Sequence, residues 1–380
     1  ADQGHECALC RGWACAACVG SAEQRCTKFS MPEGADQLTN MGIEKGTSGQ
    51  IDFSLRLFAE ARRVREQTGS MESLDGARLL KNIGIAKGQA KDSVAALEAY
   101  AEARQVYERI AMLETPSFVS LLRSVAIAKE ERGDFRGALD AYEEAIQILR
   151  RLGKLETPDG ATLLRAMGMA HETLGDIDPA LHAYDEALRV RRNIDNLANA
   201  SGCRLLGSLV TARGEAGDLK GAMAAFSEAQ QLHEKLGTAQ SYDAARLLHS
   251  LGTAKAACSD PKGALDAFNE ARAMFKVAGV KDAGGASLLR GIGSAKNELG
   301  DLKGALATFE EAKRIYELAR KHESTECAEL MHSIGLAKAA HRDYPGALEA
   351  YATSQRIRRQ TRTLVSPGGA RLMQSIGAAR

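Results

Sequence analysis

The chain has 380 residues, with 50 basic and 49 acidic side chains and a formal net charge of +1. A dedicated nucleic-acid binder leans basic, and this balance argues against one. No apolar run reaches the roughly 20 residues a membrane-spanning helix needs, and no basic-then-apolar leader is recognisable. Aromatic residues make up 5 %, with Trp13 the single tryptophan, so small residues must carry much of the packing.

In chain order, residues 1–34 come first, a cysteine-rich segment that does not follow the pattern of the rest. Cys7, Cys10, Cys15 and Cys18 form two CxxC knuckles, with His5 and Cys26 nearby. Four thiolates can hold Zn²⁺, although the gap between these knuckles is shorter than in zinc ribbons. Cys10, Cys15 and Cys18 also fit a plant-type iron–sulfur run, but no later cysteine offers the fourth ligand. Ala14, Ala16 and Ala17 suit a helix, which would make the segment a degenerate preceding unit with free thiols or disulfides. Zinc on Cys7, Cys10, Cys15 and Cys18 is thus the one cofactor to consider. The start at Ala1 rather than Met is what a processed chain or a fragment would show. Cys203, Cys258 and Cys327 are single and scattered, which suits a reducing compartment. A soluble protein of the cytoplasm or an organelle interior is expected rather than a secreted one.

From residue 35 to 380 one unit repeats about eight and a half times. The pairs Leu79-Leu80, Leu121-Leu122, Leu163-Leu164, Leu205-Leu206 and Leu247-Leu248 recur every 42 residues. Leu288-Leu289, Leu330-Met331 and Leu372-Met373 continue the series, and Leu38 begins it. Each unit reads as two helices. In the unit from Asp159, that aspartate is the expected N-cap of the first helix and Gly175 its C-cap. Asp176 should cap the second, as should Asp92, Asp134, Asp218, Asp260, Asp301 and Asp343 in theirs. Pro261 and Pro345 should open second helices, and Pro116, Pro158 and Pro367 should lie in the connections. The second helix carries alanine at 96, 138, 180, 222, 264, 305 and 347. An aromatic follows four residues on, from Tyr100 to Tyr351, and a small residue three further. Small residues let helices approach, and the ring fills the remaining gap. One such pair cannot bury this face alone, so units must stack. The final apolar positions, Leu372, Met373 and Ile376, are expected to lack a covering second helix.

This leading-Leu, Ala, aromatic, Ala pattern resembles the tetratricopeptide repeat family over residues 35–380. The 42-residue period exceeds that family's usual 34 and is similar to the kinesin-light-chain variety. Two departures stand out. Lys81, Arg123, Arg165, His249, Arg290 and His332 stand where kinesin light chains carry asparagines, and the coiled-coil heptads that bind kinesin are absent. The resemblance implies an all-α fold, a right-handed α-solenoid of helix-turn-helix units whose first helices line a concave groove. Carried onto this chain, the groove residues are Arg78, Lys81, Arg123, Arg165, Arg204, Arg246, His249, Arg290 and His332. Arg371 continues the row, with Glu329 an acidic exception. Ile85, Ile127 and Met169 should make its beginning more apolar, and Thr211, Thr253 and Ser294 its continuation more polar. Guanidinium groups grip carboxylates with two bonds, so the basic groove should take acidic or extended peptide segments. Arg123, Arg165, Arg246 and Arg290 are expected to be free of intramolecular carboxylates.

A second basic column runs Lys45, Lys87, Lys129, His171, Arg213, Lys255, Lys296, Lys338 and Arg380. It should form a stacking ladder with Glu60, Glu102, Glu144, Glu186, Glu228, Glu270 and Glu311. No glycine-rich phosphate loop, HExxH pair or strand pattern occurs. The reading is a protein–protein interaction scaffold rather than an enzyme. Its alternative is a structural subunit built into a large assembly through its edges and ends.

Overall fold

The computed structural model describes residues 31–277, 283–361 and 363–380. The candidate zinc ligands Cys7, Cys10, Cys15 and Cys18 lie outside the described residues. The chain divides into two compact units, one ending at Leu152 and the other starting at Gly153.

The first unit holds three helical hairpins: α1 (Pro32–Thr47) with α2 (Ile51–Gln67), α3 (Leu74–Gln89) with α4 (Ser93–Arg109), and α5 (Pro116–Glu131) with α6 (Phe135–Arg151). The second begins with α7 (Pro158–Leu174) and α8 (Ile177–Asn193), then α9 (Ala200–Glu215) and α10 (Leu219–Lys235), then α11 (Tyr242–Ala257) and α12 (Pro261–Val277). It continues with α13 (Ala283–Glu298) and α14 (Leu302–Leu318), α15 (Thr325–Ala340) and α16 (Tyr344–Gln360), and a last helix α17 (Pro367–Ala379). Eight hairpins and a further first helix are the eight and a half repeats, and no strand occurs among the described residues.

Short polar side chains start these helices. Asp92, Asp134, Asp218, Asp260, Asp301 and Asp343 each accept the amide three residues on, at 2.8–3.0 Å. That satisfies one of the donors a helix start leaves unpaired. Asp176 departs from the series: its side chain caps nothing and faces His171 Nδ1 at 3.8 Å. The first helices α3, α5, α7, α11, α15 and α17 are capped by hydroxyls and α9 by Asn199, whereas α1 follows Met31 with no side-chain cap. Thr157, not Asp159, caps α7, accepting from the Gly160 amide at 3.1 Å. Pro116, Pro158 and Pro367 therefore open first helices rather than lie between units, since the first helical residue needs no N–H. Gly175 ends α7 at φ +84°, where a side chain would be strained.

The hairpins close around a slot that the periodicity did not reveal. The alanines at 96, 138, 180, 222, 264, 305 and 347 are fully buried, and so are the rings of Tyr100, Tyr142, Tyr184, Phe268, Phe309 and Tyr351. Opposite five of these rings stands a glycine of the partner first helix: Gly84, Gly168, Gly252, Gly293 and Gly335. A Cβ on any of them would come within 2.3–2.5 Å of a ring carbon, far inside contact distance. Ala126 and Val210 hold the same position opposite Tyr142 and Phe226. The Phe226 ring is only partly buried, as a branched side chain in the slot requires. Leu372 and Ile376 of α17 are buried together with Ala347 and Tyr351 of α16. The expectation that they lie uncovered is thus corrected: a first helix packs on the hairpin before it. Met373 remains exposed.

The expected Lys–Glu ladder is also corrected. Four of the glutamates bond arginines of the preceding second helix: Arg62–Glu102 at 2.9 Å, Arg104–Glu144 at 2.9 Å, Arg192–Glu228 at 2.8 Å and Arg272–Glu311 at 2.8 Å, while Glu60 and Glu186 meet Arg63 and Arg189 of their own helices. Members of the basic column reach over their own hairpins, and Arg213 also pairs with Asp185 of the preceding second helix at 3.0 Å. Lys129 Nζ donates to the Gly137 carbonyl at 3.0 Å and Arg213 Nη1 to that of Gly221 at 3.2 Å. The glutamates sit on second helices, and a cation at the end of the first helix lies nearer the start of its partner.

Within the second unit the array curls back. A Cβ on Gly214 of α9 would stand 2.3 Å from Ala254 Cα of α11, so these two backbones are in direct contact. One on Gly175, after α7, would stand 2.7 Å from Pro367 Cγ at the start of α17. The first-helix faces of this unit therefore look inward across a shared space.

Candidate binding face

Positions two before, one after and five after the leading leucine share one face of each first helix. In the first unit this face holds Arg78, Lys81 and Arg123, with Ile43, Ile85 and Ile127 all exposed at 38–43 %. Three aliphatic side chains left in water at the same register are an apolar ladder, not scattered surface residues. A hollow of about 480 Å³ lies among Ile85, Tyr100, Arg123, Ile127 and Glu131. Lys81 is half-buried and donates to Ser120 Oγ at 3.1 Å. Burial lowers its pKa first, with Arg78 and Arg123 adding repulsion. Arg123 is exposed and forms no ion pair among the described residues, whereas Arg78 meets Asp75 at 3.3 Å.

In the second unit the face holds Arg165, Arg204, Arg246, Arg290 and Arg371, with Met169 and Leu336 exposed among them. Arg165, Arg204 and Arg246 line a hollow of about 210 Å³ together with Glu172 and Asp243. The expectation of carboxylate-free guanidinium groups is corrected for Arg290, which pairs with Glu329 at 3.2 Å. Arg204 meets Asp243 at 3.6 Å. Arg165 donates to Met169 Sδ at 2.9 Å, and Arg246 forms no ion pair among the described residues.

The two histidines of the row are not cations. His249 packs against Phe268 and His332 against Tyr351, ring centroids 5.6 Å apart in both. Burial, then the neighbouring arginines, push each imidazole down to about 4. His332 Nε2 shares a hydrogen bond with Ser375 Oγ at 2.9 Å. The position after the leading leucine leans on the hairpin's own ring, so a short flat side chain stacks there while an arginine reaches past it.

Acid on this face was underestimated from the sequence. Glu172 accepts from the Tyr184 hydroxyl at 2.6 Å. Burial raises its carboxyl to about 6, the Tyr184 bond opposing and Glu215 adding repulsion. Glu215 is also raised by burial, lowered by Arg371 and raised by Glu329. Glu172 and Glu215 stand beyond the leading-leucine positions that marked the face, and only the curl of the unit brings Glu215 toward Arg371. Among the described residues no cluster of three or more His, Cys, Asp or Glu side chains could hold a metal ion. No helix is long and apolar enough to cross a membrane.

Residues 117–193 match the family model described as tetratricopeptide repeat. No curated protein sequence matches the chain. Among solved structures, the apo form of RapI is similar at TM-score 0.60 and 11 % identity, over 76 % of this chain and 99 % of that one. A Rap protein complexed with Competence and Sporulation Factor is similar at TM-score 0.54 and 13 % identity, over 92 % of this chain and 100 % of that one. A putative kinesin light chain of Podospora anserina with nearly identical TPR-like repeats is similar at TM-score 0.49 and 15 % identity, over 54 % and 97 %.

Proposed function

We propose that the chain, whose residues 117–193 match the tetratricopeptide-repeat model, is a non-catalytic scaffold whose first-helix faces bind extended, acidic segments of partner proteins. The observation that carries this reading is that each unit holds guanidinium groups at one register, among them Arg123 in the first and Arg246 in the second, which spend their charge on no carboxylate among the described residues. An extended segment presents side chains to alternate sides, so acidic groups can meet the arginines while aliphatic ones meet Ile85 and Ile127. The Rap protein seen with Competence and Sporulation Factor supports such use of a similar fold.

The test is fluorescence anisotropy with a labelled peptide of alternating aspartate and leucine. A lysine–leucine peptide serves as control. The acidic peptide should bind, and more weakly as salt rises, because exposed charges are screened over about 8 Å at physiological ionic strength. The double variant Arg123→Glu, Arg246→Glu should lose binding while its circular dichroism is unchanged. Equal binding by that variant would refute the reading.

A further inference from the structure

Second helices α2, α8 and α16 share a buried arginine in their last turn: Arg65, Arg191 and Arg358, each 2–3 % exposed. Arg65 and Arg191 donate through Nη1 to the loop carbonyl five residues on, Ser70 O at 3.3 Å and Asn196 O at 3.2 Å. Arg358 donates to Ser366 Oγ at 3.4 Å. These bonds tie each hairpin to the following connection, and Nε is without a partner in all three.

The three differ at Nη2. Arg65 Nη2 is ion-paired with Asp36, which stands on α1 two residues before its leading leucine, 29 positions away. The residue at that register opposite Arg358 is Glu329, whose ion pair goes to Arg290 at 3.2 Å and whose charge favours the Arg358 guanidinium through its field. Opposite Arg191 it is Thr162, again 29 positions away, whose hydroxyl accepts from Nη2 at 3.3 Å. Arg191 has no ion pair among the described residues. Burial lowers its pKa, and Arg165 and Arg204 lower it further. A guanidinium cannot shed its proton, so a buried one without an anion is costly unless something else supplies the charge.

We infer that the Thr162 corner of the binding face is an anion site, where an acidic side chain of the bound segment takes the place that Asp36 occupies beside Arg65. This deepens the proposed function and rests on it. The carboxylate would receive Nη2 of Arg191 and lie in the field of Arg165 and Arg204. The Asp36–Arg65 pair is the chain's own copy of the arrangement, with the acid supplied in cis. An aspartate or glutamate side chain is favoured over free phosphate because the two matching corners already hold carboxylates of those types.

The experiment compares Thr162→Asp with Thr162→Asn, first on the chain alone. The aspartate variant should unfold at higher denaturant than the neutral one, and in an Arg191→Gln background that advantage should vanish. If Arg191→Gln does not fold, Arg191→Met serves in its place, with the same expectation. Equal stability of Thr162→Asp and Thr162→Asn overturns the claim that Arg191 lacks an anion. The second readout is the aspartate–leucine peptide, whose affinity should fall about tenfold in Thr162→Asp and stay near wild type in Thr162→Asn. Unchanged affinity in Thr162→Asp, or protection of the wild type by inorganic phosphate but not by the peptide, overturns the side-chain assignment. A wild-type chain that binds no acidic peptide overturns the proposed function, while the stability comparison still decides whether Arg191 wants a charge.

Discussion

Replacing Gly84 with valine should loosen the α3–α4 hairpin. A Cβ at this position would stand 2.3 Å from Tyr100 Cε1 and 2.6 Å from Cδ1, against about 3.5–4.0 Å for an ordinary carbon contact. Valine would regain a few tenths of a kcal/mol of helix propensity over glycine. Overpacking costs about 1–3 kcal/mol, and valine adds two methyl groups beyond the clashing Cβ. The ring, 4 % exposed, can escape only by giving up burial. Opposite Val210, Phe226 is only partly buried. A net loss of about 2 kcal/mol follows, equivalent to roughly thirtyfold easier local opening. Long arrays need not unfold in one step, so amide hydrogen exchange of residues 74–109 is the suitable assay. Exchange should quicken in α3 and α4, and the double variant Gly84→Val, Tyr100→Leu should recover most of the protection. Unchanged exchange in the single variant would refute the slot as the element that sets hairpin spacing.

Asp134→Ala should cost about 1 kcal/mol in chemical denaturation by removing the α6 cap, whereas Asp176→Ala should cost much less, since that side chain caps nothing; equal losses would contradict the cap assignment. Glu172, raised to about 6, binds its proton more tightly folded than unfolded, so stability should fall as pH rises from about 4.5 to 6. Glu172→Gln should remove that slope and gain on the order of 1–2 kcal/mol at pH 7, read from denaturation at pH 5 and 7. His249 and His332, lowered to about 4, act with the opposite sign. Their contribution is present above about 6.5 and is lost as pH falls toward 4, so His332→Gln should flatten the acid limb of the stability profile.

The candidate face was partly legible in the amino-acid sequence. Arg123 and Arg246 lie on the helix face that their register predicts, because side chains at fixed spacing on one helix share a side. Legibility ended where a residue's neighbour comes from another element. His249 and His332 belong to the right row, yet each rests on a ring about 19 residues on along the chain, and so is neutral. Arg290 was expected free, but Glu329 of the next first helix reaches it. The special standing of Arg191 was invisible, since it differs from Arg65 and Arg358 only in what faces it across the hairpin.

By itself the sequence determined the number of hairpins, their register and the aspartate caps of six second helices, because these depend on contacts within a few residues or on a pattern repeated every 42. A ring four residues after a buried alanine needs a partner surface whatever the rest of the chain does. Tertiary structure alone decided which charges are spent and which remain. Arg62 and Glu102 lie on successive second helices, so their pairing depends on how one hairpin is set against the next. Glu215 comes into the field of Arg371 only because Gly214 lets α9 and α11 touch and the second unit curls until Gly175 reaches Pro367. Coulomb energy depends on separation in space, and periodicity along a chain carries no information about the curvature that sets it.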